Sequence, residues 1–198
     1  MPFEEMRVTT KEFGTLPGSS RLLVPVPSVP TGQQQRLHAL AAAAFSTMSV
    51  AVEASLGFPL LCASGWRSHR WASWDVYVSF VEQKYGSLEN GRRFLAFDSP
   101  HETGLACDFG CGGLLPVSAT IDRQKKTPLY AWLVEHAWQY GWHPYHVEPW
   151  HFEHWVPLDA YRDGVLTTAS AEDSGPVMTC ADPNDVCEET PPPTEPAA

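Results

Sequence analysis

Two short segments about 40 residues apart constrain this chain more than anything else in it. Ser99-Pro-His-Glu-Thr-Gly-Leu-Ala-Cys-Asp108 sets His101 and Asp108 seven residues apart, with Gly104 and small Ala106 between them. Glu148-Pro-Trp-His151 supplies a second imidazole with a carboxylate three residues before it. Two imidazoles, one carboxylate ligand and one spare carboxylate are the minimum set for a catalytic zinc site. Three protein ligands leave a fourth position for water, and the unligated acid can take that water's proton. His-x6-Asp alone is more often a solvated surface pair, so the conjunction carries the argument.

Local patterning decides where these side chains can point. Leu105–Phe109 alternates as a strand, with Leu105, Cys107 and Phe109 on one face and Ala106 and Asp108 on the other. The chain from Trp142 to Trp155 is dense in histidine: His143, His146, His151 and His154. Read as a strand, residues 151–156 put His151, Glu153 and Trp155 on one face and Phe152, His154 and Val156 on the other. His151 and His154 should therefore not share an ion. His-Glu-x-x-His, the helical pair of common zinc proteases, is absent. Glu148 and His151 converge only if Glu148 belongs to the bend entering the strand, which Pro149 favours. His143 and His146 stay open as ligands or substrate contacts, and Glu153 as a residue orienting an imidazole.

A third piece, Ser64-Gly-Trp-Arg-Ser68, lies just past the apolar run Phe58–Ala63, a strand candidate. With it the chain resembles the zinc D-alanyl-D-alanine carboxypeptidases and dipeptidases of the VanY/VanX type. Ser99-x-His101-x-x-Gly104-x-Ala106-x-Asp108, then Glu148-x-Trp150-His151, occur in that family's order, over roughly Leu37–Val156. The resemblance implies His101, Asp108 and His151 as ligands of one Zn²⁺ and Glu148 as general base. It implies Arg67 as the cation against the substrate, with Ser99 and Trp150 as substrate contacts. It implies a peptidoglycan peptide or D-Ala-D-Ala precursor as partner. Glu-x-Trp-His favours this over related phage endolysins cutting between L-Ala and D-Glu, which usually carry Pro-His. The sequence departs from the family twice. No Gln follows Arg67, and only five residues separate Gly141-Trp142 from Glu148. A flap over the cleft is then missing and the site more open. The expected fold is α+β, hedgehog/D-Ala-D-Ala peptidase-like: a small, mainly antiparallel sheet carrying the ligands, with helices packed on one side.

The rest of the chain bounds these readings. A net charge of −10 argues against nucleic acid. No run is expected to reach the roughly 18 apolar residues of a membrane span. No basic head followed by an apolar stretch opens the chain, so no signal peptide is visible. A cytoplasmic location, or release by another route, is expected. A monomer is expected too. Residues 1–30 read as an extended arm broken by prolines, with an edge strand near Arg21–Val26. Residues 31–166 form the catalytic domain, and 167–198 an acidic, Pro-rich flexible tail.

Within the domain, Thr31-Gly-Gln-Gln34 fits a capping box. Leu37, Leu40, Ala41, Phe45, Met48 and Val52 then recur at helical spacing up to Gly57. Further helices are expected over Trp71–Tyr85, Leu88–Phe97 and from Thr127-Pro128 to Gly141, with His136 at its apolar boundary. Cys107 reads as a buried free thiol, and Cys180 with Cys187 can close a small loop only in an oxidising compartment. A zinc-stabilised binding module on the same scaffold is the rival reading, and another amide or D-dipeptide substrate a third. The retained Glu148 speaks against the binding module.

Overall fold

The alternating segments around Asp108 and His151 are neighbouring antiparallel strands. The structure, a computed structural model, describes residues 6–30 and 33–165. In chain order it runs α1 (Thr10–Phe13), β1 (Leu23–Pro25), β2 (Arg36–His38), α2 (Ala39–Leu56), β3 (Cys62–Ser64), α3 (Trp74–Tyr85) and α4 (Leu88–Gly91). A 3-10 turn, Pro100–Thr103, precedes β4 (Ala106–Phe109). Then come α5 (Ile121–Gln124), α6 (Pro128–His136), β5 (Trp142–Tyr145), β6 (Glu148–His154) and α7 (Leu158–Asp163). The tail beyond 165, with Cys180 and Cys187, lies outside the described residues, as does the Thr31-Gly32 start of the expected capping box.

One sheet has the order β3-β4-β6-β5, antiparallel throughout, and β1-β2 form a separate antiparallel ribbon. Helices cover the apolar face of the larger sheet. Phe45 of α2 stacks on Phe109 at 6.0 Å, and Phe109 meets Phe152 at 5.3 Å and Trp142 at 5.5 Å. Each such buried side chain contributes about 1.5–3 kcal/mol through apolar burial. Cys62 and Cys107 lie on this dry face as free thiols, 3.1 Å between sulfurs. The opposite face carries Asp108, paired with His151, and Ala106, paired with Glu153.

Several sequence expectations need correction. The helix expected over Leu88–Phe97 ends at Gly91, and the one expected from Trp71 begins at Trp74 with Ser73 as its cap. α2 begins at Ala39 with His38 as its cap, not at residues 31–34, because Arg36–His38 is committed to β2 against Leu23–Pro25. By length and composition α2 is also apolar enough to cross a membrane, contrary to the expectation that no such stretch occurs. Its Ala41, Phe45, Met48 and Val52 are instead buried in the core against the sheet. α6 starts as read: Thr127 accepts from the Tyr130 N–H, and Pro128 occupies the first turn.

α3 and α4 bury a satellite cluster of Trp71, Tyr77 and Val81. Trp71 packs as expected, while Trp74 is 51% exposed and rests its ring on Phe97.

Candidate metal centre

Asp108 and His151 face each other across β4 and β6, and the turn before β4 brings in His101. His101 Nε2, His151 Nδ1 and Asp108 Oδ1 form a triangle with sides of 2.9, 3.2 and 3.3 Å. Ligand atoms about 2.0–2.1 Å from a tetrahedral zinc stand about 3.3–3.4 Å apart, so the triangle is close to that size. All three residues are buried. Among the described residues, this is the one group of acids, histidines and cysteines that can hold an ion.

The outer nitrogen of each imidazole already has a partner. His101 Nδ1–H donates to the Gly65 carbonyl at 2.7 Å, and His151 Nε2–H to Glu153 Oε1 at 3.1 Å. Those bonds fix the tautomers and leave two bare ring nitrogens and a carboxylate oxygen facing one another. Three acceptors at that spacing require a cation between them, so the donor set fits a divalent metal. Without a metal, a proton answers part of this need. Burial opposes charge on His151, but hydrogen bonds to Asp108 and Glu153 push it up to about 9. Burial alone would raise the Asp108 carboxyl, yet the two imidazoles hold it well below the usual range. His101 is lowered, first by burial and then by the Arg67 charge.

Glu148 reaches the site through an irregularity in β6. Trp142, His143 and Pro144 pair in steady register with His154, Glu153 and Phe152, but Tyr145 pairs with Glu148 rather than with His151. In an unbroken strand, residues three apart face opposite ways. The offset relieves Glu148 of that rule, and the charges of His151, Asp108 and Arg67 all act on it. Burial raises its pKa to about 7, against the opposing pull of His151. A carboxylate tuned to neutrality suits a general base.

Arg67 follows β3 at the exit of Gly65, and its N–H donates to the His101 carbonyl at 3.4 Å. Its guanidinium acts on both His101 and Glu148. Arg67, Trp71, Phe97, Ser99 and Glu102 line a small cleft of about 80 Å³. Ser99 therefore stands beside Arg67, while Trp150, 3% exposed, presents little of its ring to a substrate. Neither His143 nor His146 joins the converging set, and His154 turns to the dry face, donating from Nδ1 to the Gly141 carbonyl. His136 packs at a tilt against Trp132, ring centroids 5.0 Å apart, at the boundary of α6. A larger hollow of about 600 Å³, lined by Val29, Phe58, Leu61, Leu115 and Leu129, contains no titratable side chain.

Glu102 escaped the sequence reading. It is buried, accepts from the Ser99 N–H at 3.0 Å and pairs with His69 at 3.1 Å, so it fixes the turn that presents His101. The available signal was Ser99-x-x-Glu102, the spacing of a capping box.

Fold and site together define a small α+β protein with a candidate mononuclear metal centre on the polar face of an antiparallel sheet. The chain belongs to the VanY family, described as D-alanyl-D-alanine carboxypeptidase, whose model matches residues 34–157. Among solved structures it is similar to the LdcB LD-carboxypeptidase, studied for peptidoglycan recognition. The identity is 26%, the TM-score 0.50, and 75% of each chain is covered. A D,D-pentapeptidase VanY from a VanB-type resistance cassette, in complex with Zn(II), is similar at 19% identity and TM-score 0.46, covering 81% of this chain and 93% of that one. VanYB in complex with D-alanine-D-alanine gives 18% identity and TM-score 0.45, covering 76% and 88%. No curated protein matches the chain.

Proposed function

We propose that the protein is a zinc-dependent carboxypeptidase acting on the D-Ala-D-Ala end of peptidoglycan peptides or their precursors. His101, Asp108 and His151 would hold the ion, and the triangle of their donor atoms is the observation that carries this reading. A bound zinc supplies Lewis acidity and brings the pKa of water towards about 7. Glu148 takes a proton from the attacking water and returns it to the departing D-Ala amine, a balanced hydrolysis of one amide bond. The Arg67 charge acts on Glu148, and its paired donors would hold the carbonyl oxygen or the terminal carboxylate. Ser99 flanks it in the cleft.

A second reading keeps the chemistry and shifts the bond, to an L-residue followed by D-Ala. The likeness to the LD-carboxypeptidase favours it. A panel of peptides ending in D-Ala-D-Ala or in L-residue–D-Ala, assayed by mass spectrometry with and without chelator, separates the two. Release of D-Ala from the first set, abolished by chelator and restored by zinc, is the expected result. Zinc-independent turnover, or none on either set, would overturn the proposal.

A further inference from the structure

The N-terminal arm touches three of the segments around the site. The buried Val8 N–H donates to Glu153 Oε2, and Arg7 pairs with Glu153 Oε1 at 3.0 Å. The Arg7 guanidinium also lies 4.2 Å over the Tyr145 ring, which meets the His151 ring edge-on at 5.9 Å. Further along the arm, the Leu16 N–H donates to the Glu102 carbonyl at 2.9 Å, and Trp66 Nε1–H donates to the Leu16 carbonyl at 3.1 Å. Phe13 packs edge-on against Tyr161 at 5.1 Å. The arm is thus anchored beside His101, beside Arg67 and behind His151.

Glu153 explains why this matters. Its carboxylate is 1% exposed, and it accepts from His151 Nε2, the Val8 N–H and Arg7. Two of those three come from the arm. A buried carboxylate needs compensating donors, or it swings towards water. That movement removes the acceptor that fixes the His151 tautomer. Arg7 is 43% exposed along its side chain, so it supplies charge to a buried partner without being fully desolvated itself.

We propose that the N-terminal arm is a component of the metal centre, and that Arg7 is a positioning residue that holds His151 in its metal-binding tautomer through Glu153. This rests on the reading of His101, Asp108 and His151 as a zinc site. The test is zinc affinity of the full chain, by competition with a chromophoric chelator, alongside the melting temperature of the zinc-free protein. Arg7→Met is expected to weaken zinc several-fold to about tenfold. The zinc-free variant should melt somewhat lower than wild type but stay folded at the titration temperature, and Arg7→Lys should restore most of the affinity. Adding Arg7→Met to Glu153→Gln should cost nothing further, because both act through one carboxylate. Lys11→Met, an exposed change on the same arm, serves as the control and should match wild type. Unchanged affinity in Arg7→Met, or additive losses in the double variant, would overturn the inference while leaving the zinc site standing. A wild-type chain that takes up no zinc would overturn the zinc reading first, and this inference with it.

Discussion

The carbonyl oxygen of Gly65 lies 2.7 Å from Nδ1 of His101 and accepts a hydrogen bond from its N–H. The segment ending in Arg67 therefore does more than present a guanidinium: it also sets which ring nitrogen of His101 faces Asp108. A side chain at residue 65 has no room, since a Cβ there would stand 2.4 Å from the Arg36 carbonyl oxygen. Gly65→Ala is expected to cost about 1–3 kcal/mol of stability through overpacking. It should also weaken zinc binding, because relief of the clash moves the carbonyl. A variant with wild-type melting temperature and wild-type zinc affinity would refute the assignment.

In the proposed mechanism Glu148 moves protons and does not bind the ion. Glu148→Gln keeps the shape and loses the base, so kcat/KM should fall by about 10²–10⁴-fold while zinc content stays stoichiometric. Metal analysis and peptide hydrolysis on the same preparation check this. Undiminished turnover would remove Glu148 from the mechanism.

Glu153→Gln should weaken zinc about 10–100-fold, since an amide oxygen accepts the His151 proton less strongly than a carboxylate does. Chelator competition measures it. Equal affinities would mean that the His151 tautomer is set by something else.

His154 predicts a pH dependence of stability. Burial lowers its pKa to about 4, only partly offset by its bond to the Gly141 carbonyl. Between about 4 and the ordinary value near 6.5, the unfolded chain binds a proton that the folded chain refuses. Stability from this residue is therefore complete above that window and falls through it as pH drops, by up to about 3 kcal/mol. Urea unfolding of zinc-free protein at pH 4.5 and 7 should show a smaller difference in His154→Gln than in wild type. An identical difference would count against a neutral buried imidazole.

Arg67→Lys keeps the charge and loses the planar fork of donors. If Arg67 grips two oxygens at once, kcat/KM should fall at least about tenfold with zinc affinity unchanged. Wild-type kinetics in that variant would assign Arg67 to the surface.

Strand periodicity made much of this legible in advance. Alternation alone put Asp108 opposite Phe109 in facing and His151 opposite His154, and both assignments hold in the sheet. Helix ends were readable wherever a local signal governs them, as at Thr127-Pro128 and Gly57. The start of α2 was not, because Arg36–His38 pairs with a strand thirteen residues earlier, and no local pattern reports that pairing. The contact of Glu102 with His69 and the reach of Arg7 to Glu153 span 33 and 146 positions, and only the closed fold reveals them. Glu148 was found through Pro149 and the family motif, but its facing depends on an offset in pairing that composition does not encode.

That offset separates the inheritance of shape from the inheritance of chemistry. Asp108 and His151 are fixed by the central strand pair and His101 by the turn before it, whereas the acid depends on a few residues of slack between Tyr145 and His151. Gaining or losing one residue there would re-aim the acid and spare the His101–Asp108–His151 triangle and the hydrophobic interior. A descendant altered only in this way would keep a candidate cation site with no acid beside it, free to be selected for recognition alone.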